Sequence, residues 1–234
     1  MAKIVTVAAY KGGVGKTTLA LELAYLLDAP LVDLDWDKGG ATNRWGYRPG
    51  VTSPLLDALE SGKVPRPRKG KGKPDLVPSD RDFEVNQPDA NAMAEALEKW
   101  AAAWECPYVV VDTHPGGSPA TLGAMQAASV VVTPTVLANA ELDGLEGLLE
   151  EAADYPLLIV PNKVARVPDR RLVERLRVMV DRFDLPVAPL VSEHRRLPRR
   201  SGRMAVSALE PVPQTWKQYA EELAAVAASI KEHQ

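Results

Sequence analysis

The chain has 234 residues, 46% of them apolar and 25% charged, with a net charge of −3. That composition excludes a disordered or fibrous protein and suits one well-packed domain over residues 1–234 better than two small ones. The single cysteine, Cys106, excludes an internal disulfide and cannot alone supply the ligands of a zinc or iron–sulfur site. With no secretion signal and no run approaching 18 apolar residues, a cytoplasmic setting is expected.

Short Val- and Ile-rich runs alternate with segments of helical period, the pattern of an α/β fold with a mostly parallel central sheet flanked by helices. In chain order, a strand over Ile4–Ala9 runs into K-G-G-V-G-K-T-T at Lys11–Thr18, and a helix over Lys16–Leu27 leads to a strand over Leu31–Leu34. Ser53-Pro54 sets an N-cap hydroxyl before a proline at the first helical position and predicts a helix over Leu55–Glu60. The stretch Ser61–Pro74, S-G-K-V-P-R-P-R-K-G-K-G-K-P, has too much Gly, Pro and like charge for a core and is expected to be a basic flexible loop.

Beyond it come a short strand at Leu76–Val77, a helix over Ala90–Trp104, a strand over Tyr108–Asp112 and, behind Ser118-Pro119, a helix over Ala120–Ala127. Strands over Val130–Thr133 and Leu157–Pro161 flank a helix over Glu141–Ala153. A helix over Arg170–Phe183, a short strand at Val187–Ala188 and a helix over Thr215–Ile230 complete the chain. Trp100 and Trp104, four apart on one helix, read as core.

The segment Lys11–Thr18 leaves a buried strand and opens a helix, so backbone N–H groups of Gly12, Gly13, Val14, Gly15 and Lys16 can turn toward phosphate oxygens at the positive helix end. The usual G-x-x-x-x-G-K-[ST] pattern fails at one position, where Tyr10 replaces glycine. In this geometry Lys16 lies against the β- and γ-phosphates, the Thr17 hydroxyl reaches Mg²⁺, and Thr18 faces the α-phosphate. Asp112, ending the apolar run of V-V-V-D-T-H-P, supplies a metal-side carboxylate. Asp33, Asp35 and Asp37 alternate at another strand's carboxyl end, where α/β sheets bind ligands. His114, beside Asp112, reads as a loop residue.

K-G-G-V-G-K-T-T, D-L-D and V-V-V-D-T-H-P together resemble the deviant Walker A, A′ and B motifs of the ParA/MinD family of P-loop ATPases. The order and spacing are most similar to short ParA proteins. D-L-V-P-S at Asp75–Ser79 and P-N-K at Pro161–Lys163 extend the likeness, which loosens over the C-terminal third.

The resemblance implies an ATPase with ATP or ADP and Mg²⁺ as ligands. Lys11 would be the signature lysine that reaches the partner's phosphates across an ATP-dependent homodimer, a cation supplied in trans. Asp35 would orient the attacking water, Asp112 would hold Mg²⁺ through water, and Asn162 would read the adenine edge. Trp36 and Asp37 depart from the family's D-x-D-P-Q, which bears on loop geometry near that water. The implied role is plasmid or chromosome partition. The ATP dimer binds double-stranded DNA without sequence choice at the nucleoid, and a ParB-like centromere-binding protein provokes hydrolysis and release.

The charge distribution suits such a role. Between Lys163 and Arg203 stand 12 basic and 5 acidic residues. The segment E-H-R-R-L-P-R-R-S-G-R packs Arg195, Arg196, Arg199, Arg200 and Arg203 together without interleaved aromatics, which favours backbone phosphates over bases. Arg170, Arg171, Arg175 and Arg177 can extend the patch if they face the same way. A MinD-like membrane protein would carry a basic amphipathic C-terminal helix; the tail here is small and acidic, so no membrane partner is expected. Cargo positioning within the same family is the alternative role, and a P-loop ligase of the dethiobiotin synthetase kind has no use for clustered arginines.

Overall fold

The computed structural model describes residues 2–48, 53–197, 200 and 202–233. Six strands form one sheet in the order β3-β2-β4-β1-β5-β6. They are β1 (Lys3–Val7), β2 (Leu31–Asp33), β3 (Leu76–Val77), β4 (Tyr108–Asp112), β5 (Val130–Thr135) and β6 (Leu157–Pro161). Every pairing is parallel. Parallel strands need crossovers, and the chain supplies helices for them: α1 (Lys16–Leu26), α2 (Ala41–Trp45), α3 (Pro54–Ser61), α4 (Ala90–Ala103), α5 (Pro119–Gln126), α6 (Asn139–Ala152), α7 (Arg170–Arg182) and α8 (Gln214–Glu232).

Alternate strand residues feed opposite layers, which is why the strands read as unbroken apolar runs. Val5, Val7, Leu31, Val110, Val132 and Leu158 pack with Leu19 and Leu23 of α1 and Leu223 and Val226 of α8. On the other face Val32, Val109 and Val111 meet Met93, Leu97 and Trp100 of α4, while Val131, Leu157 and Ile159 meet α6 and α7. The C-terminal helix is therefore docked on the body through its Leu223 and Val226 face. Among the described residues no helix is long and apolar enough to cross a membrane.

The expected strands and seven long helices are present, with ends that differ by at most two residues. Val187 contributes only an isolated bridge to Ile159 instead of a strand. Helix α2 was not anticipated, because its five residues, A-T-N-R-W, carry no period and its first-turn N–H is satisfied from elsewhere: Thr42 N donates to Asp33 Oδ2 at 2.5 Å.

The stretch 61–74, expected to be a basic flexible loop, touches the rest of the fold at several points. Arg68 and Leu76 exchange backbone hydrogen bonds of 2.7 and 2.9 Å, Lys69 pairs with Asp75 at 2.6 Å, and Trp104 Nε1 donates to Pro65 O at 2.9 Å. Lys73 donates to Trp45 O at 2.7 Å with its ammonium 3.5 Å from the centre of the Trp45 ring. The composition of the segment hides these anchors because the aromatic partners lie elsewhere in the chain.

The tightest helix contact is between α4 and α5. A Cβ on Gly123 would press into the Ala90 carbonyl oxygen and stand 2.7 Å from Met93 Cβ. Gly123→Ala should destabilise the fold by about 1–3 kcal/mol through overpacking, read as a lower urea midpoint with an unchanged slope.

Candidate functional site

Register places the site. Val7 pairs with Asp112, and Asp112 with Asp33, so the ends of β1, β4 and β2 lie in one row at the carboxyl edge of the sheet. The glycine-rich loop starts from that row and ends on α1. Gly13 and Gly15 have φ of +80° and +101°, values that a Cβ would strain. Thr113 Oγ1 donates to Val7 O at 3.0 Å and ties the row together.

Lys16, Asp35 and Asp112 converge here. Lys16 is 5% exposed, and burial lowers its pKa against the opposing pull of Asp112 and Asp35. Asp112 is fully buried, and burial, followed by the charge of Asp33, holds its pKa well above the usual carboxylate range. The Thr17 hydroxyl is the neighbour that most favours its ionised form, yet neither Asp112 oxygen accepts a hydrogen bond of ordinary geometry. A buried carboxylate without donors, beside a hydroxyl on a phosphate-type loop, suits a hydrated hard cation, so the residues present fit Mg²⁺.

Asp33 differs from its neighbours. Burial pushes its pKa up to about 7, while its two oxygens accept from Asp35 N at 3.0 Å and Thr42 N at 2.5 Å. It holds the turn and α2 together. Asp35 Oδ1 accepts from Asp37 N at 3.0 Å, and burial raises its pKa, partly countered by that bond, His114 and Lys16.

Sequence reasoning missed His114 as a site residue. Its ring stacks on Trp36, with centroids 3.9 Å apart and planes at 7°, and its Nε2 lies 3.3 Å from Asp37 Oδ2. Trp36 and Asp37 thus form a clip to the loop after Asp112. Three residues that are unremarkable in separate motifs acquire meaning only when the strand ends adjoin.

Asn162, expected to read an adenine edge, donates its Nδ2 to Val14 O at 2.8 Å. Lys163 Nζ donates to Gly13 O. The two residues strap the loop to the end of β6. Thr18 Oγ1 accepts from Arg44 at 2.6 Å, a partner not foreseen. Exposed Lys11 lies along its own α6, its stem over Gly144, where a Cβ would displace it.

The five arginines expected on one surface divide. Arg195 and Arg196 are exposed, Arg195 with only a loose 3.8 Å approach to Glu193, and Arg199 lies outside the described residues. Arg200 donates to Met204 O, and Arg203 folds over Gly46, so both turn inward. On α7, Arg175 bridges to Asp143 at 2.6 Å and Glu146 at 3.0 Å, and Arg177 pairs with Asp181 at 3.6 Å. Two of the four arginines of the suggested extension are therefore engaged in ion pairs.

No protein-family model matches the chain. It is similar to the chromosome-partitioning ATPase Soj of Thermus thermophilus, 36% identical over 152 residues that cover 62% of this chain and 59% of Soj. The chromosome partitioning protein ParA of Caulobacter vibrioides is 28% identical over 199 residues, covering 72% and 71%. The curated proteins similar to the chain are thus a chromosome-partitioning ATPase and chromosome partitioning proteins. Cyanothece McdA shares its fold with a TM-score of 0.76 at 18% identity over 100% of this chain and 99% of that one. The chain spans under three fifths of the length of Soj and of the chromosome partitioning protein ParA of Myxococcus xanthus, at 59% and 56%.

Within this site, the donorless Asp112 carboxylate destabilises the ligand-free fold. Its folded-state pKa is raised, so the cost is absent at acid pH, where the group is protonated in both states, and grows as pH rises above the unfolded value. Asp112→Asn should therefore stabilise the ligand-free chain by about 1–3 kcal/mol at pH 8, with the gain shrinking toward pH 4, as followed by urea unfolding across that range.

Proposed function

We propose that the chain is a Mg²⁺-dependent partition ATPase. In this reading ATP assembles a homodimer that binds DNA without sequence choice, and a ParB-like partner stimulates hydrolysis and release. The observation that carries the reading is the buried meeting of Lys16, Asp35 and donorless Asp112 at the mouth of the glycine loop. The partition ATPase and partitioning proteins similar to the chain support the role.

The chain's own groups divide the work. Loop N–H groups from Gly12 to Lys16 receive the phosphates, and the partly desolvated ammonium of Lys16 stabilises charge that builds on the transferring group. Asp35, held in one orientation by the Asp37 N–H, orients the attacking water. Thr17 and, through water, Asp112 would hold Mg²⁺, which supplies charge neutralisation at the phosphates. Lys11 would leave its groove on α6 to reach the partner's nucleotide, so the second cation arrives only on pairing. Asn162 would offer the adenine edge its remaining amide groups. Exposed Arg195 and Arg196 make the DNA contact in this reading, and pairing of two chains doubles those contacts.

Lys16→Ala should abolish ATP binding in calorimetry. Asp35→Ala should keep binding and ATP-induced dimerisation in sedimentation while turnover falls about 100-fold; a variant that hydrolyses at the normal rate removes Asp35 from the water-orienting role.

Arg195→Glu with Arg196→Glu should abolish ATP-dependent co-sedimentation with duplex DNA and leave dimerisation intact. Undiminished DNA binding places the contact on another surface.

A further inference from the structure

The two basic runs of the sequence, far apart in the chain, meet in space. Lys73, from the first, and Arg200 and Arg203, from the second, join Arg44 at the end of α2 around a cavity of about 400 Å³ on the flank of α1. The walls there come from Thr18, Leu21 and Glu22, and the glycine loop and Asp112 are not part of them. This cavity lies beside the glycine loop and shares with the expected nucleotide site one residue, Thr18, read above as facing the α-phosphate.

Its charge is not balanced. Glu22 is the only carboxylate lining it among the described residues, and that carboxylate is already occupied. Its oxygens accept from Val206 N at 2.6 Å, Ser207 N at 3.1 Å and Ser207 Oγ at 2.9 Å. None of the four cations has an ion-pair partner within 4.0 Å among the described residues. Burial, and after it the charge of Arg203, lowers the pKa of Lys73.

Neutral acceptors hold these cations in place without discharging them. Arg44 donates to Thr18 Oγ1, Lys73 to Trp45 O and Arg200 to Met204 O. Arg203 rests over Gly46, a position with φ +90° where a side chain would occupy its place. Like charges brought together and fixed by neutral groups are a preorganised anion receptor.

We propose that Arg44, Lys73, Arg200 and Arg203 form a binding site for a small phosphorylated anion, distinct from the nucleotide loop. Two features favour a small ligand over a DNA backbone. The volume lies within the range of small-molecule pockets, and the cations turn into a concavity, whereas Arg195 and Arg196 stand outside it. Apolar walls from Leu21, Pro74 and Leu197 suit the uncharged body of such a ligand. Through Arg44 and Thr18, occupancy would be felt at the first turn of α1.

The test is calorimetric titration of pyrophosphate, without Mg²⁺, into the full chain carrying Lys16→Ala, so that the outcome does not depend on the ATPase reading. One pyrophosphate should bind per chain. Arg203→Ser and Lys73→Met should each weaken binding roughly tenfold, Arg203→Lys should largely restore it, and Arg195→Ser should leave it unchanged. Arg203 is exposed, so its variants keep the test independent of any folding defect in Lys73→Met. Absence of binding, or an affinity that neither Arg203→Ser nor Lys73→Met alters, overturns the site. If a short duplex oligonucleotide binds through Lys73 and Arg203 while pyrophosphate neither binds nor competes, the phosphate belongs to nucleic acid and the small-anion assignment is wrong.

Discussion

The parallel register of β2, β4 and β1 is the constraint on which the rest of the structure depends. It brings Asp33, Asp112 and the root of the glycine loop into one row, with both carboxylates removed from water. Buried carboxylates side by side repel one another and resist ionisation. The fold tolerates the row because each member is compensated differently: Asp33 by backbone donors, Asp35 by a turn N–H and Lys16, and Asp112 by the nearby Thr17 hydroxyl and Lys16 charge without a hydrogen bond of ordinary geometry. That last asymmetry is the mark of a site built for a ligand that brings its own positive charge.

A second shell of interactions fixes the loops around this row. On one side Trp36, Asp37 and His114 clip the turn after β2 to the turn after β4. On the other, Asn162 and Lys163 fasten the glycine loop to the end of β6. The turn that bears Asp35 is therefore held by aromatic packing and a polar contact. The loop and its carboxylates are thus positioned from both flanks of the sheet.

Local signals made much of this legible in the sequence. Short apolar runs, Ser-Pro caps and K-G-G-V-G-K-T-T state strand, helix start and phosphate loop within a few residues of each feature. What stayed hidden depends on distant partners. Residues 61–74 look like an unstructured cationic stretch until Trp45 and Trp104 are seen beneath them. Helix α2 relies on an acceptor, Asp33, from the preceding strand. The arginines of 195–203 form one group by spacing and two groups by direction, since Gly46 offers Arg203 an inward resting place that no reading of the segment alone would reveal.

Two carboxylates bracket that arginine-bearing segment like bolts. Glu222 of α8 holds Ser192 by its N–H and hydroxyl, at 2.8 and 2.6 Å, and Glu22 of α1 holds Val206 and Ser207. The chain thus departs from and returns to fixed points whatever lies between them. The placement of the arginines described between those points is therefore set from two ends, by α8 and by α1.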